Sequence, residues 1–126
     1  MERLPDAELE VMRAVWSLHS PCATGEVRRE LEKTRPWNLS ALQTLLTRLT
    51  GRGFLASDKE GRQRTYAPLV AQEDYLAFEN APFLSGRRGA SVSKLVASLY
   101  EQNSIDRNDL EELRAFIDRT VKKEER

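Results

Sequence analysis

A mainly α fold with one small β-hairpin, continued by a helical tail, is what the sequence predicts, on three observations. Apolar residues recur at helical spacing in three consecutive segments before residue 52. Two short extended runs on either side of Gly61 come next. Beyond residue 90, two further amphipathic segments carry apolar stripes too lean for a core of their own. This order divides the chain into a compact domain over 1–70 and a helical region over 71–126.

In the first helix Leu9, Met12 and Trp16 recur at i, i+3 and i+7, and Val11, Val15 and Leu18 widen the stripe. Ser20-Pro21 ends it. Thr24 is the expected N-cap of a short second helix, with Glu26 in its first turn and Val27 and Leu31 on its buried face. Arg28, Arg29, Glu30, Glu32 and Lys33 are left solvated. After Arg35-Pro36, Asn38 caps a third helix, about 38–52, with Leu39, Leu42, Leu45, Leu46 and Leu49 as its apolar back and Gly51 and Gly53 as its stop. Its front carries Ser40, Gln43, Thr44, Thr47 and Arg48.

Extended runs at about 54–57 and 63–68 enclose Asp58-Lys59-Glu60-Gly61-Arg62, where Gly61 can supply the positive φ of a hairpin loop. Pro68 closes the second run, because it cannot donate to a ladder. Helical periodicity returns from Ala71 to about Leu84 through Tyr75, Leu76 and Phe78, and Pro82 is expected to kink or end that helix. Ser85-Gly86-Arg87-Arg88-Gly89 reads as a flexible basic break. Val92, Leu95, Val96 and Leu99 then form a short amphipathic helix. A last helix starts near Asp106, with Leu110, Leu113, Phe116 and Ile117 on one face.

Composition narrows the function. With 40% hydrophobic and 32% charged residues in 126, the chain is a foldable globular one, too short for a multi-domain enzyme. No stretch approaches the roughly 20 apolar residues that span a bilayer, and Met1-Glu2-Arg3-Leu4-Pro5 lacks the apolar core of a secretory signal, so a cytoplasmic protein without membrane insertion is expected. Cys22 is the only cysteine and His19 the only histidine, so no metal site, cofactor or catalytic grouping is expected. Cys22 reads as a small buried residue beside a helix start, and His19 as a helix-end residue. The acidic pairs Glu73-Asp74 and Glu111-Glu112 fall on solvated helix faces.

The net charge is zero, but it is unevenly spread. Between Arg35 and Arg64 there are six bases against two acids, a local +4, while the chain from Ala71 onward has eleven acids and nine bases. Three helices followed by a hairpin is the order of a winged helix-turn-helix, in which the third helix enters the major groove and the hairpin rim lies along the flanking backbone. The front of the third helix has no carboxylate, which phosphates would repel. The candidate DNA-contacting set is Asn38, Ser40, Gln43, Thr44, Thr47 and Arg48 on that helix, with Lys59, Arg62, Arg64 and Tyr66 from the wing, about 58–64, and its exit. A winged-helix protein-interaction module without specific DNA binding remains the alternative.

Several of these segments, taken in order, resemble the penicillinase and methicillin repressor family (the BlaI/MecI/CopY type). They are Ala7-Glu8-Leu9-Glu10-Val11-Met12 with Trp16, Thr44-Leu45-Leu46-Thr47-Arg48-Leu49, Gly53-Phe54-Leu55, Lys59-Glu60-Gly61-Arg62, Tyr66-Ala67-Pro68-Leu69 and Leu110-Glu111-Glu112-Leu113. The resemblance implies a transcriptional repressor that binds a dyad operator in double-stranded DNA as a homodimer. The dimer would be held through Leu95, Val96, Leu99, Leu110, Leu113, Phe116 and Ile117. It also implies a membrane sensor protease as partner and derepression by proteolysis in the C-terminal region, at a position that falls on Ser98-Leu99. Three departures are visible. Ala41 stands where members often have threonine, Ser98-Leu99 replaces the cleaved Asn-Phe pair, and no cysteine follows Cys22 as a copper-sensing Cys-x-Cys pattern would need.

Overall fold

A computed structural model describes residues 1–85 and 91–125. Gly86 to Gly89, the core of the expected basic break, lie outside the described residues. The elements run α1 (Asp6–Ser17), β1 (Cys22–Ala23), α2 (Thr24–Leu31), α3 (Leu39–Gly51), β2 (Leu55–Glu60), β3 (Gln63–Pro68), α4 (Gln72–Ser85), α5 (Val92–Glu101) and α6 (Arg107–Glu124). The chain forms two compact units, Met1–Leu84 and Ser85–Arg126. Among the described residues, no helix is long and apolar enough to cross a membrane.

In the first unit the apolar stripes meet as their spacing predicts. Val11, Met12 and Val15 of α1, Val27 and Leu31 of α2, and Leu42, Leu46 and Leu49 of α3 form one buried cluster with Leu55 and Tyr75. Each of the three α3 leucines is fully buried, which is worth roughly 1.5–3 kcal/mol per side chain. Leu45 only packs against the edge of this cluster, and Leu39, expected on the same back, is 41% exposed. It lies at the first helical position, before the helix has turned onto the core.

The hairpin is longer and tighter than expected. β2 reaches Glu60, leaving Gly61 (φ +63°) and Arg62 as a two-residue turn, and Lys59 pairs with Arg64 across the ladder. A strand that the sequence did not suggest, β1, pairs Cys22 with Tyr66 and Ala23 with Thr65, making a three-stranded antiparallel sheet in the order β1-β3-β2. Two residues carry too little periodicity to be read as a strand. Cys22 is nonetheless buried as expected, and burial pushes its thiol above the ordinary range, which disfavours the thiolate form.

Three local expectations need correcting or narrowing. Ala23, not Thr24, occupies the N-cap position of α2, and the Glu26 carboxylate accepts its amide hydrogen at 3.0 Å. His19 follows the end of α1 and engages α2 instead, with Nε2 2.9 Å from Glu26 Oε2. Of the two outcomes expected at Pro82, a kink or an end, the end is excluded, since α4 runs on to Ser85.

The boundary between the units falls after Leu84, later than residue 70, because α4 is stitched into the first unit. Tyr75 is fully buried, edge-on to Phe54 at 5.8 Å, and its hydroxyl accepts the Leu4 amide hydrogen at 2.8 Å. Burial raises its phenol pKa, and the Glu79 carboxylate adds to the shift. Just upstream, Trp16 Nε1 donates to Val70 O at 2.9 Å.

The second unit has the same helical pattern with a different outcome. Ser91 caps α5 by accepting Lys94 N, and Asp106 caps α6 in a reciprocal box with Asp109. Both ends are well made, yet no residue of either helix is buried.

Candidate nucleic-acid interface

The helix meant to present the reading face is fixed from behind and at its start. Asn38 Oδ1 accepts the Ala41 amide hydrogen at 3.0 Å, so this predicted site residue is confirmed as the cap of α3. From that start, Ser40, Gln43, Thr44, Thr47 and Arg48 share one exposed surface. The Thr44 and Thr47 hydroxyls donate backwards to Ser40 O at 3.1 Å and Gln43 O at 2.9 Å. Their protons are thereby used, and the oxygens and methyl groups remain for a partner. Gln43 and Arg48 are the long donors of this face, the side chains suited to adenine and guanine edges.

The hairpin turns out to be two-faced. Because cross-strand partners share a face and neighbours along a strand alternate, Lys59 and Arg64 lie on the side that also carries Ser57 and Tyr66. Asp58, Glu60, Ala56, Thr65 and Ala67 line the opposite side. The basic side faces α3, and Thr47, Thr50, Gly51, Ser57, Arg64 and Tyr66 enclose a recess between helix and wing. Arg64 Nη1 donates to Ser57 Oγ at 2.8 Å, which orients the guanidinium along this side. Arg62 is exposed at the turn.

Like charges set directly opposite on a ladder repel. Lys59 opposite Arg64 is such a pair, with no carboxylate on its own face to offset it. An anionic partner lying across that face would turn the repulsion into attraction. The acids that sit beside Lys59 in sequence do not cancel this, since the pleat sends them to the other side.

The local charge of +4 is a less useful measure than it looked. Arg52 Nη1 is 3.0 Å from Glu8 Oε2, and Arg35 Nη2 is 2.9 Å from Glu10 Oε2 while its guanidinium stacks 4.3 Å over the Trp37 ring. Two of the six bases are thus neutralised by α1. Arg48, Lys59, Arg62 and Arg64 make no ion pair among the described residues, and all four stand on α3 or the wing.

Tyr66 needs a different description from the one its position in the sequence suggested. It is 5% exposed, belongs to the core cluster, and forms part of the wall of the recess. Ser57 and Thr50 were missed. Ser57 could have been found from its period-two spacing to Lys59, but only once the strand was known to extend that far. Among the described residues no three His, Cys, Asp or Glu side chains gather at metal-binding distance.

The apolar set expected on the last two helices is arranged as an incomplete surface. Leu95, Val96 and Leu99 on α5, and Leu110 and Leu113 on α6, are half-buried, while Phe116 and Ile117 are 55% and 47% exposed. Val92, Tyr100 and Val121 add further exposed apolar area. Ser98 is exposed and Leu99 half-buried within the helical body of α5.

Comparison with known proteins points to one family of repressors. The profile of a family described as Penicillinase repressor matches residues 4–119. The penicillinase repressor of Bacillus licheniformis is 34% identical to this chain over 121 residues, 94% of each. The methicillin resistance regulatory protein MecI of Mammaliicoccus sciuri is 25% identical over 116 residues, 92% of this chain and 94% of its own. Among solved structures, the DNA binding domain of the repressor BlaI matches with a TM-score of 0.51 and 44% identity, over 60% of this chain and 94% of that one.

Proposed function

The chain belongs to the penicillinase repressor family, and from that premise we propose that it represses transcription by binding double-stranded operator DNA as a homodimer. The first unit reads DNA, with α3 in the major groove and the basic face of the wing on the flanking phosphates. Helices α5 and α6 close the dimer, and the two-fold arrangement matches a dyad operator. The protein acts in the cytoplasm as a DNA-binding regulator and not as an enzyme.

The single observation that carries it is the continuous carboxylate-free surface from Ser40 to Arg48 and across to the Lys59–Arg64 pair. Phosphate contacts position such a protein, and base-edge contacts specify its site. In this assignment Lys59, Arg62 and Arg64 take the first role. Gln43, Thr44, Thr47 and Arg48 take the second. Asn38 and Tyr66 support them from the cap and the recess wall, and Ser40 lies at the edge of the surface.

Derepression by a membrane sensor protease is the regulatory part of the proposal. A protease needs an extended backbone, whereas Ser98-Leu99 is helical, so cutting there requires α5 to open first. The exposed stripe of α5 and α6 would be covered in the dimer, which makes dimer dissociation and cleavage linked events.

Replacing Thr44 and Arg48 with alanine tests the DNA assignment. The expected outcome is an intact dimer whose operator affinity falls by roughly 2 kcal/mol or more, with most of its preference over a scrambled duplex lost. Unchanged operator binding would move the function to a protein-interaction module.

A further inference from the structure

Glu8 on α1 is 2% exposed, and its only ion pair among the described residues is the 3.0 Å approach of its Oε2 to Arg52 Nη1. That oxygen accepts no aligned hydrogen bond, so the contact is ionic and not the two-pronged Arg–carboxylate arrangement. Withdrawing a carboxylate from water is costly, and one misaligned contact returns only part of the loss. The Arg52 side chain is 35% exposed, so only the Glu8 end of the pair is withdrawn from water, and a pair of this kind is weak evidence for stability. The use of the pair is therefore to be sought in geometry.

Arg52 marks the corner between the two elements that face DNA. It is the C-cap residue of α3, its amide donating to Arg48 O at 2.9 Å. Gly53 follows at φ +83°, a conformation suited to glycine, and turns the chain so that Phe54 N closes onto Leu49 O at 2.9 Å before β2 begins. Glu8 ties this corner to α1. At the other end of α3, Arg28 Nη2 donates to Trp37 O at 3.1 Å. Between these two ties the back of α3 is held by leucines, whose packing is non-directional.

We propose that the Glu8–Arg52 pair is a positioning device for sequence readout, setting the angle and register of α3 together with the wing. The inference rests on the DNA-binding reading above. With the corner held, Gln43, Thr44, Thr47 and Arg48 meet base edges while Lys59 and Arg64 reach the backbone. Hydrogen bonds to base edges weaken steeply with small displacements and angles. Attraction to phosphates falls off slowly with distance, so it tolerates the same displacement. Loss of the pair lowers discrimination more than it lowers DNA binding as such.

The test uses the full chain and the duplex that it enriches from a random pool, with a scrambled duplex as reference. The double variant Glu8→Met with Arg52→Met keeps the net charge, so the non-specific term is preserved. It is expected to melt at or above the temperature of the wild type and to bind scrambled DNA within about twofold. Its preference for the enriched duplex falls roughly tenfold. Arg52→Lys, which keeps the charge but loses the planar guanidinium, is expected to lower the preference about threefold and serves if the double variant does not fold. An unchanged preference in the folded variants overturns the positioning role alone. A wild-type chain that enriches nothing overturns the DNA reading, and this inference with it.

Discussion

Helices α3 and α6 follow the same rule of construction and end differently. Both begin at a side-chain cap, Asn38 or Asp106, and both carry an apolar stripe. The stripe of α3 meets α1 and α2, and Leu42, Leu46 and Leu49 lose all contact with water. In α6, which is longer, no side chain is buried. A stripe stabilises a helix only where something covers it, and within one chain the stripe of α3 is covered fully while that of α6 is covered only in part. The polar faces differ in the same sense. That of α3 excludes carboxylates, whereas that of α6 mixes Glu111, Glu112, Arg114 and Asp118. One helix is finished behind and open in front, ready for DNA; the other is open behind, which is where the proposed dimer would close.

Breaking the finished side should have the largest effect. Leu46→Ala is expected to cost about 3 kcal/mol of unfolding free energy in denaturant melts, with the dimer constant unchanged when measured below the transition. A loss under about 1 kcal/mol would mean that the α3 back is not the centre of the core. Opening the other side further comes next. Phe116→Ala together with Ile117→Ala should raise the dimer dissociation constant by about thirtyfold, close to 2 kcal/mol, in sedimentation equilibrium. If the constant stays the same, the stripe of α6 covers something other than a second copy.

Smaller effects sharpen the comparison at the helix ends. Asn38→Ala removes the hydrogen bond to the Ala41 amide and should cost about 1 kcal/mol, accompanied by weaker operator binding as the start of α3 frays. Equal operator affinity in that variant would separate the cap from the reading face. The smallest effect is expected at Glu26, whose carboxyl is held below the usual carboxylate range chiefly by the Ala23 amide, with His19 assisting. A depressed folded pKa contributes stability above the unfolded pKa and loses it as pH falls through the folded one. Below about pH 4.3 the wild type should therefore lose slightly more stability than Glu26→Gln. Parallel acid profiles would show that the α2 cap does not depend on that charge.

What could be read in the sequence follows from the range of the forces involved. The Asn38 cap, the leucine back of α3 and the Gly61 turn are local, and each was legible from a few neighbouring residues. Features decided by pairing between distant segments were not. The strand β1 exists only because Tyr66 and Thr65 lie opposite Cys22 and Ala23. Arg52 looked like part of a basic window until Glu8, far away in sequence, was found beside it. The separation of Asp58 and Glu60 from Lys59 and Arg64 needed the register of the hairpin, since a shift of one residue would have mixed them. Leu39 fits the leucine pattern and still faces out, because a helix's first residue precedes its full contact with the core.

The central claim is a division of labour, with the first unit reading DNA and the last helices pairing two readers. The most direct test is an anisotropy titration of the full chain, at several salt concentrations, against an enriched dyad duplex, the same duplex with one half-site scrambled, and a fully scrambled duplex. The account predicts tight, steeply salt-dependent binding to the dyad, with most of the advantage lost once one half-site is removed. Equal affinity for the dyad and the half-scrambled duplex would contradict the pairing, and equal weak binding to all three would contradict the reading of DNA itself.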